Sequence, residues 1–432
     1  MTNDFNPKST RFKYQVVLKY FLPEDKAPID ISRSMNDFTI HSYYEECVFP
    51  VFQIILYLNR ATHQRIQLNA SRVKFLLEIR KFDAKITNEA DVKKEYETSI
   101  SNEVLIPFDI DRTPLPISTD AAAGNPNFPL QLDCFLERHL LMNKKLINCV
   151  AKDVSVKDLI LYALNFGKAK NVIFTLPENE ETYDQILIPP LNMTNTIEYL
   201  QEVYGIFKSG LLVFFDIKYS YILKRDALSP PTIESGAYQD FESIFFELYD
   251  LRTLGPDTEG NFEDKAKKCY RIKTSVGQIQ LSLADTSSRE IGGEDVSFSS
   301  RTIAERATKR IKSHHYSIEN KGALAIPITN AKSSKEIHQW NNYANEFVED
   351  AYGFELSSSQ LQVQIPWRDL DPDLLTPNRR YNLIFHNDEY KDILTGPYRL
   401  TSTILKFEVR SDYFYRLQGG SIFKKIGREY FK

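Results

Sequence analysis

Residues 188–223 read IPPLNMTNTIEYLQEVYGIFKSGLLVFFDIKYSYIL, a run that holds an extended entry, a helix, glycine turns and two strands. Pro189 and Pro190 keep the chain extended at its start. Asn195 with Glu198 three positions on predicts a capping-box-like beginning, after which Ile197, Leu200, Val203 and Tyr204 share one helical face. Gly205 is free to turn left-handed, so the helix is expected to stop at Tyr204. Beyond Gly210, Leu211–Phe215 and Tyr219–Leu223 are apolar, aromatic and β-branched runs separated by Asp216, Ile217 and Lys218, the pattern of a tight strand pair. The run reads as a compact α/β junction and contains no catalytic arrangement.

Toward the amino terminus the pattern is mainly strand. Tyr14–Phe21, Phe38–Tyr44, Cys47–Leu58, Val73–Phe82 and Val104–Phe108 predict a first antiparallel β-barrel over residues 1–115. Pro114, Pro116, Pro126 and Pro129, with Ala121–Gly124 among them, predict a linker or exposed loop. An α/β domain is expected over 116–228, with a second helix capped by Ser155 and Asp158. Its inner face is Leu159, Ala163 and Phe166, Gly167 closes it, and a strand follows at Val172–Thr175.

Ser229, Pro230, Pro231 and Gly236 mark a second break. Strands are then expected at Phe241–Leu248, Cys269–Thr274 and Gly277–Leu283. They resume at Leu361–Ile365, Tyr381–Phe385, Tyr398–Val409 and Tyr413–Leu417, which defines a discontinuous second β-barrel region, 229–295 and 353–417. Between its halves a polar stretch, 285–300, and helices at Thr302–Ile311 and Ser334–Tyr352 predict a helical insertion over 296–352. Residues 418–432, which include SIFKKIGREYFK, read either as a docking segment or as a last element packed on its own domain. The fold class expected is α+β, mainly β.

The order Pro-Pro, Asn192, helix, Tyr204-Gly205, Gly210 and an apolar strand ending in Asp216 resembles the central baseplate hub subunit of contractile bacteriophage tails. Phe38–Tyr44, Cys47–Leu58, the polar segment Arg60–Gln67 and Val73–Phe82 are similar to the amino-terminal barrel of such hubs. Gln360–Ile365, the Pro372–Pro377 turn, Tyr381–Phe385 and Gly396–Val409 resemble their closing barrel. The resemblance assigns structural roles to Pro189, Pro190, Asn192, Tyr204, Gly205, Gly210 and Asp216. It implies a homotrimeric ring in the virion tail baseplate, assembled in the host cytoplasm, in which six similar barrels surround a channel. A tail tube protein, a spike protein and other baseplate proteins are the implied partners, and DNA passes through the lumen without specific binding. In this reading the ring adapts six-fold to three-fold symmetry, and its barrels carry open edges that identical neighbours satisfy.

Composition agrees with a soluble, aromatic-rich β protein: 432 residues, 42% hydrophobic and 26% charged, with 28 Phe and 24 Tyr against 4 Met. That length predicts about two to four domains. With 54 basic and 58 acidic residues the formal net charge is -4, so no global field draws the chain to nucleic acid or anionic lipid. The most apolar run, Cys47–Leu58, is broken by Pro50 and falls short of the ~20 residues a bilayer crossing needs. No membrane is expected, and the amino terminus has no signal-peptide pattern. The scattered Cys47, Cys134, Cys149 and Cys269 fit reduced, packed thiols.

Phosphate-loop, dinucleotide, serine-elbow and zincin motifs are all missing, so no catalytic, cofactor or metal residue is assigned. Asp369, Asp371 and Asp373 open like a calcium loop, yet Leu374 takes the glycine position and Arg380 that of the bidentate Glu, leaving a solvated turn. His314 and His315 are adjacent and read as surface residues. Arg301, Arg306, Lys309, Arg310 and Lys312 read as an exposed basic helix face without a base-stacking platform. Trp340 and Trp367 read as core or interface anchors. Cys134 and His139 lack the third group and oxyanion site of a dyad. The function expected is a non-enzymatic ring joining tube to spike. Another tail-tip or injection-system adaptor, or a cytosolic enzyme with a convergent inter-domain site, remains the alternative.

Overall fold

The computed structural model describes residues 12–83, 97–110, 127–225, 244–250, 262–264, 269–274, 280–283, 361–368, 370–385, 394–409 and 414–425. The fold is mainly β. The amino-terminal elements are β1 (Phe12–Phe21), β2 (Ile29–Asp30), β3 (Met35–Tyr43), β4 (Val51–Asn59), α1 (Arg60–Leu68), β5 (Lys74–Asp83), β6 (Glu97–Ile110) and β7 (Asn127–Leu136). A lobe follows: α2 (Glu137–Asn143), β8 (Ile147–Ser155), α3 (Val156–Gly167), β9 (Val172–Phe174), β10 (Thr182–Leu191), α4 (Met193–Val203), β11 (Leu211–Phe215) and β12 (Ser220–Lys224). The remaining strands are β13 (Ile244–Asp250), β14 (Phe262–Asp264), β15 (Cys269–Thr274), β16 (Gln280–Leu283), β17 (Leu361–Arg368), β18 (Arg380–Phe385), β19 (Gly396–Val409) and β20 (Tyr415–Lys425).

Period-two alternation builds the first barrel. In β1, Tyr14, Val16, Leu18 and Tyr20 are buried while their neighbours are not, as a pleated strand with one core face requires. Antiparallel ladders run β3–β4–β7–β6–β5–β1. The ring then closes through β19 and β20: β19 pairs with β3, β20 with β19, and Tyr415 of β20 faces Tyr14 of β1. Its interior is filled with side chains. Phe38 lies 5.2 Å from Phe407 and 6.4 Å from Phe52, and Tyr14 meets Phe407 edge-on at 5.5 Å. An eight-stranded barrel has room for such side chains and little else, so this one is a packed core and not a pore.

Three expectations change here. The first barrel was expected to end at 115, but β7 pairs with both β4 and β6 and belongs to it. Pro129 had made this stretch read as linker. It sits beyond the end of the β6 pairing, which starts at Leu132, where a proline is tolerated as on an edge. Open edges were expected of the first barrel, but among the described residues β19 bonds along β3 and β20 reaches β1 at the Tyr14–Tyr415 pair, so the distant hairpin bridges them. Finally, residues 418–425, expected in a separate docking segment, lie inside β20 and pair with both β19 and β17.

The hairpin β19–β20 serves a second region as well. Its strand path is β14–β15–β13–β18–β19–β20–β17–β16, so each region numbers eight described strands and two of them are common to both. The changeover on β19 occurs at a bulge: Arg399 and its predecessors pair with β18, the register slips between Leu400 and Ser402, and from Ser402 onward the partner is β3. An extra residue bends and twists a strand, which here redirects it from one barrel to the other. On β20, residues 418–424 face β17. Within the second region β13 runs parallel to both β15 and β18, while the other described pairs are antiparallel.

The lobe has its own core of Ile160, Ile186, Ile188, Met193, Ile197, Leu200, Phe207 and Phe215. It rests on a two-stranded sheet, β8–β10, and a three-stranded sheet, β11–β12–β9, whose β12–β9 pair is parallel. Ser155 and Asp158 form the expected capping box at α3. The left-handed residue at its end is Lys168 at φ 58°, not Gly167. Gly167 is instead where α3 meets Met193 of α4 too closely for a Cβ. The expected helical insertion 296–352, the stretch 285–300, the basic cluster from Arg301 to Lys312, His314, His315, Trp340 and residues 426–432 lie outside the described residues.

Candidate functional site

The seven residues singled out in sequence fall along one path through the lobe. Pro189 and Pro190 stand where β10 slips register against β8, between Ile188 and Leu191. Without amide hydrogens they cannot continue the ladder, so the strand breaks toward α4. Asn192 caps that helix, and Asn195 does not: the Asn192 side-chain oxygen accepts from the Asn195 amide at 2.8 Å and from the Thr194 hydroxyl at 2.9 Å. Tyr204 is the C-cap, and burial pushes its phenol up to about 12. Gly205 adopts φ 74°, and the Asn179 amide donates to the carbonyls of both Tyr204 and Gly205 at 2.9 Å. Gly210, at φ 84°, accepts from the Arg225 amide at 3.0 Å.

Asp216 ends β11. It turns the chain by accepting the Ile217 amide at 2.7 Å while its own amide donates to the Tyr219 carbonyl at 2.8 Å. Burial raises its carboxyl pKa, against the pull of that hydrogen bond and of Lys218 and Arg138. Along this path lie a strand break at Pro189 and Pro190, a cap at Asn192, left-handed Gly205 and Gly210 and a tight corner at Asp216.

The corner also meets the turn between β17 and β18. Asp371 caps a short 3-10 helix, Pro372–Leu374, by accepting from the Asp373 amide. Its other oxygen accepts from the Lys81 ammonium of β5 at 2.8 Å, and that ammonium lies 4.1 Å from the Phe12 ring. Lys218, from the β11–β12 corner, donates to Asp373 at 2.8 Å. The turn expected to be solvated is therefore an ionic junction where the first barrel, the lobe and the closing strands converge. Alternating aspartates signalled a turn; only the fold supplies their two lysines.

Cys134 and His139 do not cooperate. Cys134 is buried within the barrel, and burial raises its thiol pKa. His139 stacks on Phe49 at 4.9 Å, and burial first, then Arg138, lowers its pKa from 6.5 to about 3. An unfolded imidazole binds protons below about 6.5, whereas the folded one stays neutral to about 3, so stability present above pH ~6.5 is lost as pH falls through that window. His139→Gln is expected to flatten that part of the stability profile, read by urea unfolding at successive pH values. A slope unchanged by the substitution contradicts this.

Cys47 is exposed, unlike the packed thiol expected, while Cys149 is half-buried. Trp367 is buried and donates to the Ser421 hydroxyl at 2.9 Å, an anchor between β17 and β20. Among the described residues no group of three His, Cys, Asp or Glu is placed to hold a metal ion, and no helix is long and apolar enough to cross a membrane.

The fold defines a mainly β protein with two strand regions joined through β19 and β20. The family described as Bacteriophage PBS1 gene 109 protein matches residues 8–423, and the chain belongs to that family. No curated protein matches it in sequence. Among solved structures it is similar to the tail protein from Neisseria meningitidis MC58, at 12% identity over 95% of this chain and 96% of that one, with a TM-score of 0.44. It is also similar to the 43 kDa tail protein of prophage MuSo2 from Shewanella oneidensis, at 10% identity over 94% and 96%, TM-score 0.39. A third similar structure is the E. coli c3393 protein, a component of the type VI secretion system, at 9% identity over 95% and 78%, TM-score 0.40.

Proposed function

We propose that this chain is a structural component of a phage tail, the hub of a contractile-tail baseplate. Three copies form a ring that carries the tube protein on one face and the spike protein on the other, with further baseplate proteins around it. The carrying observation is the shared hairpin: β19 and β20 fuse two eight-stranded regions side by side in one chain. Three copies then offer six barrel positions in three identical pairs, which is what a six-fold tube meeting a three-fold spike demands. Because the first barrel is filled, the channel runs between copies, and DNA crosses it without being read. Because β19 and β20 bridge the first barrel within each protomer, neighbours meet it through side chains. The role is mechanical, and assembly takes place in the host cytoplasm.

The test is to purify tails carrying an epitope on this chain and to image them by averaged electron microscopy with bound antibody. The expected density is a single ring of three chains at the baseplate end. Label along the tube, or particles complete without the chain, would sink the proposal.

A further inference from the structure

The lobe carries two clefts of opposite charge at the two ends of one hairpin. Leu211 faces Lys224 at one end of β11–β12, and Phe215 faces Ser220 at the other. At the first end a cleft of about 360 Å³ is lined by Glu45, Glu46, Glu198 and Glu202, with Arg225 opposing them. Glu45 is held by Arg399 at 2.7 Å, and Glu46, Glu198 and Glu202 are exposed without ion pairs among the described residues. Partial burial of its carboxyl first, then the neighbouring Glu202, holds the Glu198 pKa above its ordinary value, and an incoming cation would offset the Glu202 contribution.

At the other end a cleft of about 580 Å³ is lined by Lys144, Lys145, Lys168, Lys170 and Lys218, together with Arg138 and only two acids, Glu103 and Asp216. Arg138 bridges to Glu103 at 3.1 Å, and Lys218 to Asp373. Lys144, Lys145, Lys168 and Lys170 are exposed and form no ion pair among the described residues. The cleft wall also holds Leu141, which is 56% exposed, and His139, which is 1% exposed and whose Nδ1 has no hydrogen-bond partner among the described residues. An apolar side chain inside a lysine rim suits a protein surface better than a bare phosphate.

We infer that the lysine cleft of one copy receives the glutamate rim of the next, a head-to-tail contact repeated around the ring. Each copy presents both halves at opposite ends of a five-residue strand, roughly 15 Å apart at ~3.3 Å per residue. A contact between two different faces of the same chain is heterologous, and such contacts close into rings when the rotation allows. The inference rests on the ring reading above and deepens it by naming the surfaces.

The experiment is sedimentation of the full chain at low and high salt, with folding followed by thermal melting. Wild type is expected to associate at about 0.05 M salt and to weaken at about 0.5 M, as exposed charge pairs are screened. The pair E198K/E202K, and separately K168E/K170E, are each expected to weaken association about tenfold or more, because like charges then face each other. All four substitutions in one chain exchange the two clefts and restore association, which a merely misfolded variant cannot do. A wild type that stays monomeric, single-cleft reversals without effect, or a four-fold variant as weak as either pair each overturn the inference. So does loss of duplex oligonucleotide binding in K168E/K170E without any change in self-association, which would make the cleft a nucleic-acid site. Restored association in a chain absent from tail tips leaves this contact standing and removes the hub reading; a ring at the tip indifferent to these charges does the reverse.

Discussion

Gly419→Ala is expected to destabilise the chain by about 3 kcal/mol, the upper end of the range for overpacking. Gly419 lies mid-β20, opposite Leu405 of β19 and Trp367 of β17. A Cβ there would run into the carbonyl oxygen of Ile404 and lie 2.6 Å from a Trp367 ring carbon. Neither can yield cheaply: the carbonyl belongs to the β19 backbone, and the indole is fixed by its bond to Ser421. The hairpin is common to both barrel regions, so the damage is not confined to one of them. Gly420→Ala is the control, because its nearest neighbours would be 3.9 and 4.0 Å away. It is expected to fall within about 1 kcal/mol of wild type, helped by a less flexible unfolded chain. Urea unfolding followed by tryptophan fluorescence separates the two; equal midpoints for both variants would refute the packing argument.

Asp371→Ala is expected to cost about 3 kcal/mol, because it strands a buried ammonium. The Lys81 side chain is 7% exposed and that of Asp371 29%. Removing the acid leaves Lys81 with the Phe12 ring as its remaining close neighbour at 4.1 Å, and water reaches it poorly. The reverse deletion is milder. Lys81→Met keeps most of the packing, and the more accessible Asp371 hydrates, so the loss should be about half as large or less. The double variant should resemble Lys81→Met alone, since no buried charge then remains. A ranking in which Lys81→Met is the more damaging would show that the junction is not held by this pair.

Local signals in the sequence were reliable where they were short in range. The Ser155–Asp158 capping box is a contact between residues three apart, and both its halves are present. Strand Cys269–Thr274 follows from its own β-branched and aromatic content. Gly205 does adopt a left-handed angle. The errors came where two local readings competed. Asn192 and Asn195 are both acceptable caps, and the proline break just before Asn192 decides between them. Pro129 signals a linker until β6 is known to stop short of it. The candidate surfaces were less legible still, because Glu46 and Glu198, or Lys144 and Lys218, meet only through folding.

By itself the sequence determined the period of the strands, the Ser155–Asp158 capping box, the mainly β class and the likeness to a tail hub, because these are carried by residues a short way apart along the chain. Tertiary structure alone decided that β19 and β20 complete the ring of strands begun at Phe12 and at the same time belong to a second region. It also decided that two aspartates of a turn reach lysines on separate elements, and that opposite charges gather at opposite ends of one hairpin. Pairing between strands separated by hundreds of residues leaves no periodic trace in either strand: each records only that it has a buried face, and the partner is selected by the closure of the whole ring.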